Sequence, residues 1–169
     1  MGDLILFGPE RCVACYACAV ACMDQNDVDP SRGESAFRAV FERESVRGGQ
    51  AVCDYLSVSC MHCEDPYCVK VCPTGCLRKD QETGMTVYDH SVCIGCRSCA
   101  QACPFGVPRY NDEGRLLKCD GCHTRLKAGY EAACVRACPH GALSRVSKEA
   151  FALSLRRKNE AIMLNLYGR

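Results

Sequence analysis

Four cysteine runs, more than any hydrophobic pattern, decide what this chain can fold into. Motif I is Cys12-x2-Cys15-x2-Cys18-x3-Cys22, and motif II is Cys60-x2-Cys63-x4-Cys68-x3-Cys72. Motif III is Cys93-x2-Cys96-x2-Cys99-x3-Cys103, and motif IV is Cys119-x2-Cys122-x11-Cys134-x3-Cys138. Sixteen of the 18 cysteines lie in these runs, each run closes with Cys-x3-Cys, and Pro73, Pro104 and Pro139 follow three of them. Repetition of this kind sets the architecture before any local reading does. Composition points the same way. Leu, Ile, Val and Phe supply 34 of 169 residues, near the fraction below which aliphatic burial no longer sustains a core.

The spacing has a chemical reason. Three cysteines two residues apart on a tight loop aim three thiolates at three irons of one cubane. The fourth, three residues on, begins a helical turn, points away and serves a second cluster, the arrangement of bacterial ferredoxins. A following Pro suits the change of direction, because it fixes φ and offers no donor. Four runs therefore imply four [4Fe–4S] clusters with all-cysteine ligation. Motif IV alone, with Cys119, Cys122, Cys134 and Cys138, has the ligand count of a structural zinc site. Motifs I and III do not, since three cysteines so close together strand the fourth. A disulfide framework does not fit the reducing cytosol, where this chain is expected.

That location follows from the lack of a basic n-region, a signal-peptide core or a twin-arginine pair, and no apolar run reaches the ~18–20 residues of a membrane span. Lys plus Arg total 21 against 20 Asp plus Glu, a formal charge of +1, which leaves no electrostatic footprint for nucleic acid. No Ser/His/Asp set, phosphate loop or carboxylate pair is present. The chain has the means to move electrons and no evident means to transform a substrate, so it is read as non-catalytic.

Residues outside the runs are read more plainly. Cys53 and Cys76 are expected to be small buried hydrophobes. His62, between Cys60 and Cys63, could replace a cysteine ligand as in high-potential centres, but four cysteines already serve that motif. His90, His123 and His140 have no constellation around them. Backbone N–H groups at Gly95 and Gly121 are candidate donors to sulfur, which would tune cluster potential.

Strands are expected at Leu4–Phe7, at Phe37–Glu42 by its apolar–polar alternation, at Met85–Tyr88 after the turn at Gly84, at Leu116–Leu117 and at Ala142–Val146. Residues 27–35 read as a loop. A helix is expected from Ser147 towards the C-terminus, with Phe151, Leu155, Ile162 and Leu166 on one face. That face is expected to pack on the protein's own surface, with docking of a partner subunit as the alternative. Arg156, Arg157 and Lys158 read as a solvated face.

The stretches Cys60-Met-His-Cys-Glu-Asp-Pro-Tyr-Cys-Val-Lys-Val-Cys-Pro-Thr-Gly, Cys93-Ile-Gly-Cys-Arg-Ser-Cys-Ala-Gln-Ala-Cys-Pro-Phe-Gly-Val-Pro, Lys118-Cys-Asp-Gly-Cys and Cys134-Val-Arg-Ala-Cys-Pro-His-Gly-Ala-Leu carry a resemblance. From Leu4 to Val146 the chain resembles the four-cluster iron–sulfur electron-transfer subunits of the dimethyl-sulfoxide reductase, formate dehydrogenase and formate hydrogenlyase group. The resemblance implies an α+β fold of two bacterial-ferredoxin-like lobes, motif II pairing with III and motif I with IV. Residues 1–26 and 110–147 would form one lobe and 51–109 the other, with 27–50 as connecting loop and strand and 148–169 as a C-terminal helix. Carried over residue by residue, one cluster takes Cys60, Cys63, Cys68 and Cys103, and its neighbour Cys93, Cys96, Cys99 and Cys72. The other lobe takes Cys12, Cys15, Cys18 with Cys138, and Cys119, Cys122, Cys134 with Cys22. Met23 stands where the other motifs have Pro. The implied partners are a catalytic molybdenum or tungsten subunit of the aldehyde- or formate-oxidising class, and a further redox subunit such as a flavoprotein using NAD or a ferredoxin acceptor. The alternative is a freestanding polyferredoxin or an accessory carrier for metalloenzyme assembly.

Overall fold

The computed structural model describes residues 2–167. In chain order the elements are β1 (Asp3–Phe7), α1 (Ala17–Gln25), β2 (Ala39–Arg47), β3 (Gln50–Val58), α2 (Tyr67–Lys70), β4 (Leu77–Lys79), β5 (Thr86–Tyr88), α3 (Ser98–Ala102), β6 (Arg109–Tyr110), β7 (Leu116–Leu117), α4 (His123–Lys127), α5 (Ala133–Arg136), β8 (Leu143–Ser147) and α6 (Lys148–Tyr167). Short 3-10 turns lie at Pro9–Arg11, Pro30–Arg32 and His90–Val92. The strands pair as antiparallel two-stranded ribbons, β1 with β8, β2 with β3, β4 with β5 and β6 with β7. Helices and small antiparallel sheets together make an α+β fold.

One of these ribbons and two helix contacts bring distant motifs together. β1 runs antiparallel to β8 from Asp3↔Ser147 to Phe7↔Leu143, and α1 packs against α5. Motif I thus meets motif IV across most of the sequence. α2 packs against α3, which sets motif II beside motif III. The helices within the cysteine motifs are short, since each needs only to turn the chain, whereas α6 runs for 20 residues outside them. Cys18 and Cys22 sit one helical turn apart on α1, so they share a face but lie at different heights along it.

The core is built of cysteine as much as of aliphatic residues. One buried cluster holds Cys18, Cys122, Cys134, Ala132, Ala133 and Leu143. Another holds Cys68, Cys76, Cys99, Leu77 and Leu116. The segment before β2 is strapped to the β6–β7 turn: Arg32 pairs with Glu113, Asn111 Nδ2 donates to Glu34 Oε1 at 3.0 Å, and Arg109 donates to Ser35 Oγ and to Ala36 O, each at 2.7 Å. The β4–β5 hairpin docks on α4 through the buried Met85, Val87 and Leu126 and through Lys127 Nζ to Asp80 Oδ2 at 2.5 Å.

Three expectations need correction. The strand expected at Phe37–Glu42 starts later and runs further, Ala39–Arg47, and has a partner in Gln50–Val58. Gly48 and Gly49, both at positive φ (59° and 80°), form the two-residue turn that such a hairpin prefers. Cys53 is exposed, because this ribbon extends beyond the body and offers nothing to bury it, whereas Cys76 is buried as expected at 2 % exposure. The apolar stripe of α6 does not pack on the protein's own surface. Phe151 is half-buried against a groove with Leu4 and Leu6, but Leu155, Ile162 and Leu166 are exposed. β8 holds the start of the helix, and its remaining turns project past the body.

Candidate metal centres

Every motif opens with the same backbone device. The residue before the second cysteine adopts a left-handed conformation in all four motifs: Ala14 (φ 51°), His62 (φ 46°), Gly95 (φ 66°) and Gly121 (φ 71°). In three motifs a second left-handed residue then starts the helix, Tyr16 before α1, Arg97 before α3 and Cys122 before α4. Paired reversals of this kind curl the loop so that its cysteines and its N–H groups point inward. The N–H of Gly121 donates to Cys119 Sγ, and the N–H of His62 to Cys60 Sγ, each at 3.4 Å. The bond expected at Gly121 is present. The one expected at Gly95 is not among those of the described residues, and its counterpart in motif II comes from a histidine.

The cysteines gather in groups that cross between motifs. Cys12, Cys15 and Cys18 ring one cavity together with Cys138 of motif IV. Cys119, Cys122 and Cys134 ring a second with Cys22 of motif I. Cys93, Cys96 and Cys99 ring a third with Cys72 of motif II, and the additional Cys76 lies in its wall. The remaining four are less enclosed: Cys68 lies within electrostatic reach of Cys60 and Cys103, and the Cys63 carbonyl accepts from Lys79 Nζ at 3.0 Å.

Residues 51–148 match the family of 4Fe–4S dicluster domains, and residues 9–23 match a 4Fe–4S binding domain. The protein is 44% identical over 143 residues to the B subunit of the anaerobic dimethyl sulfoxide reductase of Escherichia coli K12, covering 79% of this sequence and 68% of that one. The chain belongs to the iron–sulfur subunits of the dimethyl sulfoxide reductase family. Within that family it is also similar to the thiosulfate reductase electron transfer subunit PhsB of Salmonella typhi, at 43% identity over 83% of this chain and 73% of that protein. The hydrogenase-2 operon protein HybA of Escherichia coli O157:H7 is 36% identical over 82% of this chain and half of its own length. As a member of this family the chain is an electron-transfer subunit of the iron–sulfur class, with four [4Fe–4S] clusters as its cofactors.

The residues around the cavities fit an anionic, sulfur-rich group. Arg38 is 4 % exposed and lines the cavity of Cys22, Cys119, Cys122 and Cys134, and its Nε is buried without a hydrogen-bond partner. Lys118 is 1 % exposed, and its Nζ donates to the carbonyls of Thr86 (2.8 Å) and Cys119 (2.7 Å). Buried cations held by carbonyls need an opposite charge close by, and thiolate-ligated clusters supply it. Further donors reach individual sulfurs: Asn26 Nδ2 to Cys22 Sγ at 3.6 Å and Tyr110 with Cys99 Sγ at 3.2 Å.

The thiols also behave as ligands whose proton the metal must displace. Burial pushes Cys119 up to about 12 and Cys122 up to about 11. Cys96 is lowered by hydrogen bonds from the Ser98 side chain and backbone. Burial raises Cys72, but backbone N–H groups of Leu77, Thr74 and Cys76 and the Thr74 hydroxyl outweigh it and lower the thiol overall. Cys76 is raised to about 11, first by burial, and so stays a protonated thiol beside Cys93.

Sequence reasoning did not anticipate Arg38, Lys118 or the role of His62. A histidine at a left-handed position where two sister motifs have glycine was a readable signal. Its imidazole is 8 % exposed, and desolvation, with Lys118, Lys79 and Arg38 nearby, holds it well below the ordinary imidazole range. His90 Nε2 accepts from Arg115 Nε at 3.3 Å and its ring packs edge-on against Tyr88, and His123 Nδ1 lies 2.9 Å from Asp120 Oδ2. Among the described residues no helix is long and apolar enough to cross a membrane.

Proposed function

We propose that this chain conducts electrons between a catalytic molybdenum or tungsten oxidoreductase subunit and a further redox subunit, through two ferredoxin-like lobes in a duplicated arrangement. The lobes are residues 1–26 with 110–147, and 51–109; residues 27–50 connect them, and the segment 148–169, whose described part is α6, is the partner contact. The ligand sets are Cys12, Cys15, Cys18, Cys138; Cys119, Cys122, Cys134, Cys22; Cys93, Cys96, Cys99, Cys72; and Cys60, Cys63, Cys68, Cys103. One observation carries this reading. Three cavities are each ringed by three cysteines of one motif and the closing cysteine of another, the crossed pattern that two-cluster ferredoxins use.

Each bound cluster supplies a one-electron couple, and the protein's residues set where that couple lies. The left-handed loops aim N–H groups at cysteine sulfur, and Arg38 and Lys118 offset negative charge. None of these groups is poised to make or break a bond in a substrate, which supports a non-catalytic role. The relatives include subunits of a dimethyl sulfoxide reductase and of a thiosulfate reductase, and these names favour a molybdenum-enzyme partner. The aldehyde- or formate-oxidising class of partner, with a flavoprotein or ferredoxin as acceptor, rests on the resemblance of the motifs. Cytoplasmic location rests on 18 cysteines suited to a reducing compartment. A freestanding carrier is disfavoured by α6, since a diffusing protein has no reason to display Leu155, Ile162 and Leu166 to solvent.

Metal analysis of the natively purified, anaerobic assembly tests the reading. About 16 Fe per chain are expected, with stoichiometric molybdenum or tungsten. Iron without either metal would leave the freestanding carrier in its place. The crossed ligation has its own test: Cys72→Ala should abolish the EPR signal of the Cys93, Cys96 and Cys99 site and spare that of Cys60, Cys63 and Cys68. Loss of the second signal alone overturns the pairing.

A further inference from the structure

One residue touches the ligand sulfurs of two different sites. The backbone N–H of His62 donates to Cys60 Sγ at 3.4 Å. Its imidazole crosses to motif IV, where Nε2 lies 3.7 Å from Cys119 Sγ. The tautomer follows from geometry. Nδ1 accepts the Thr86 N–H at 3.0 Å, so in the neutral ring the proton is on Nε2 and points at sulfur. Neighbours brace the ring and its backbone. Thr86 is held through its carbonyl by Lys118 Nζ at 2.8 Å, Lys79 Nζ donates to the His62 carbonyl at 3.0 Å, and a Cβ on Gly121 would come within 3.3 Å of His62 Cε1.

We propose that His62 is the positioning residue that joins the two halves of the electron path, donating Nε2–H to the Cys119 ligand while its backbone is bound to the Cys60 ligand. This rests on the proposed function, in which Cys60 and Cys119 ligate neighbouring clusters of different lobes. Two consequences follow from the chemistry. An N–H···S bond draws charge from sulfur and favours the reduced state, so it raises the potential of the Cys119 site. A route of covalent bonds closed by two hydrogen bonds couples redox centres better than the same distance through space. One electron leaves one site and the other gains it; the Nε2 proton stays in place and no bond breaks.

The test uses the loaded full-length chain and two substitutions that tolerate the site differently. His62→Asn suits a left-handed residue and keeps an acceptor near Thr86, but its side chain is too short to reach Cys119. His62→Gln places an N–H donor where Nε2 stands. Potentials are read by EPR-monitored redox titration, and transfer between sites by flash reduction, with iron content measured in parallel. His62→Asn should retain full iron, lower the potential of one cluster so that its reduced-to-oxidised ratio changes up to about tenfold (~59 mV for one electron), and slow transfer between sites at least tenfold. His62→Gln should restore most of both.

An unchanged potential and rate in His62→Asn overturn the proposal. A shifted potential with an unchanged rate overturns the electron route and leaves only a tuning role. Cys119→Ala separates this from the underlying ligand assignment: with no donor atom left, it should lose the affected cluster's signal. Full iron and all signals in Cys119→Ala would overturn that assignment and the proposal with it.

Discussion

Gly121 shows how little freedom a single position in a cysteine loop has. It needs φ of 71°, and a Cβ there would lie 2.5 Å from Met85 Sδ, in a methionine with no exposed surface. Gly121→Ala is expected to cost about 1–2 kcal/mol for the left-handed backbone and a further ~1–3 kcal/mol for displacing Met85, read as a fall in thermal stability of the loaded protein. The two cysteines outside the motifs should differ just as clearly. Cys53→Ser, on an exposed strand, should stay within about 0.5 kcal/mol of the parent. Cys76→Ser puts a hydroxyl into a buried wall at about 1–3 kcal/mol, and both variants should keep their full iron. At this scale the spacing marked sixteen cysteines as candidate ligands, while the sets proposed for them came from the family resemblance. Arg38 and Lys118 were not, because a buried cation looks like any surface Lys or Arg until the fold encloses it.

Among the elements, the β2–β3 ribbon and α6 both leave apolar side chains uncovered, although Val40 and Ser57 at the base of the ribbon line the cavity of Cys12, Cys15, Cys18 and Cys138. β2 and β3 form a ribbon with Phe41, Val46 and Leu56 exposed, and α6 carries an apolar stripe with nothing packed on most of it. Replacing Leu155 and Ile162 with Glu should leave iron content and thermal stability of the isolated chain unchanged. The same change should abolish co-purification with the partner oxidoreductase subunit; retention of the partner would remove α6 from the interface. The position of α6 was readable from the spacing of Phe151, Leu155, Ile162 and Leu166, but its lack of a local partner was not, since periodicity reports that a face is apolar and not what covers it. The hairpin was half-read for a different reason. The alternation in Phe37–Glu42 was visible, while β3 begins with residues that end up exposed on both sides and give no periodic signal, and only Gly48-Gly49 marks the turn.

For the molecule as a whole, loading and pH are linked with a definite sign. A buried thiol raised to about 12 at Cys119, or about 11 at Cys122, keeps its proton at neutral pH, whereas iron binds the thiolate, so loading releases protons. Incorporation of iron and sulfide into chelated protein is therefore expected to strengthen from pH 7 to pH 9, with proton release measurable in weak buffer. The unloaded fold should respond in the opposite direction. Its raised thiols contribute stability below the unfolded thiol pKa near ~8.5, and that contribution is lost as the pH rises towards the folded values. The topology of the whole was legible only through pairing of motifs, because no local pattern announces that Asp3 will lie beside Ser147.

That closure also orders the protein's birth on the ribosome. The cysteines from Cys60 to Cys103 are adjacent in sequence and can fold together before motif IV has been made. Those of motif I must wait, since β1 has no partner strand until Leu143–Ser147 emerges and Cys12, Cys15 and Cys18 gain Cys138 only once motif IV is complete. Until then the four thiols of motif I lack both the strand and the fourth cysteine that close their cavity, so the first motif made is expected to be the last to complete its site.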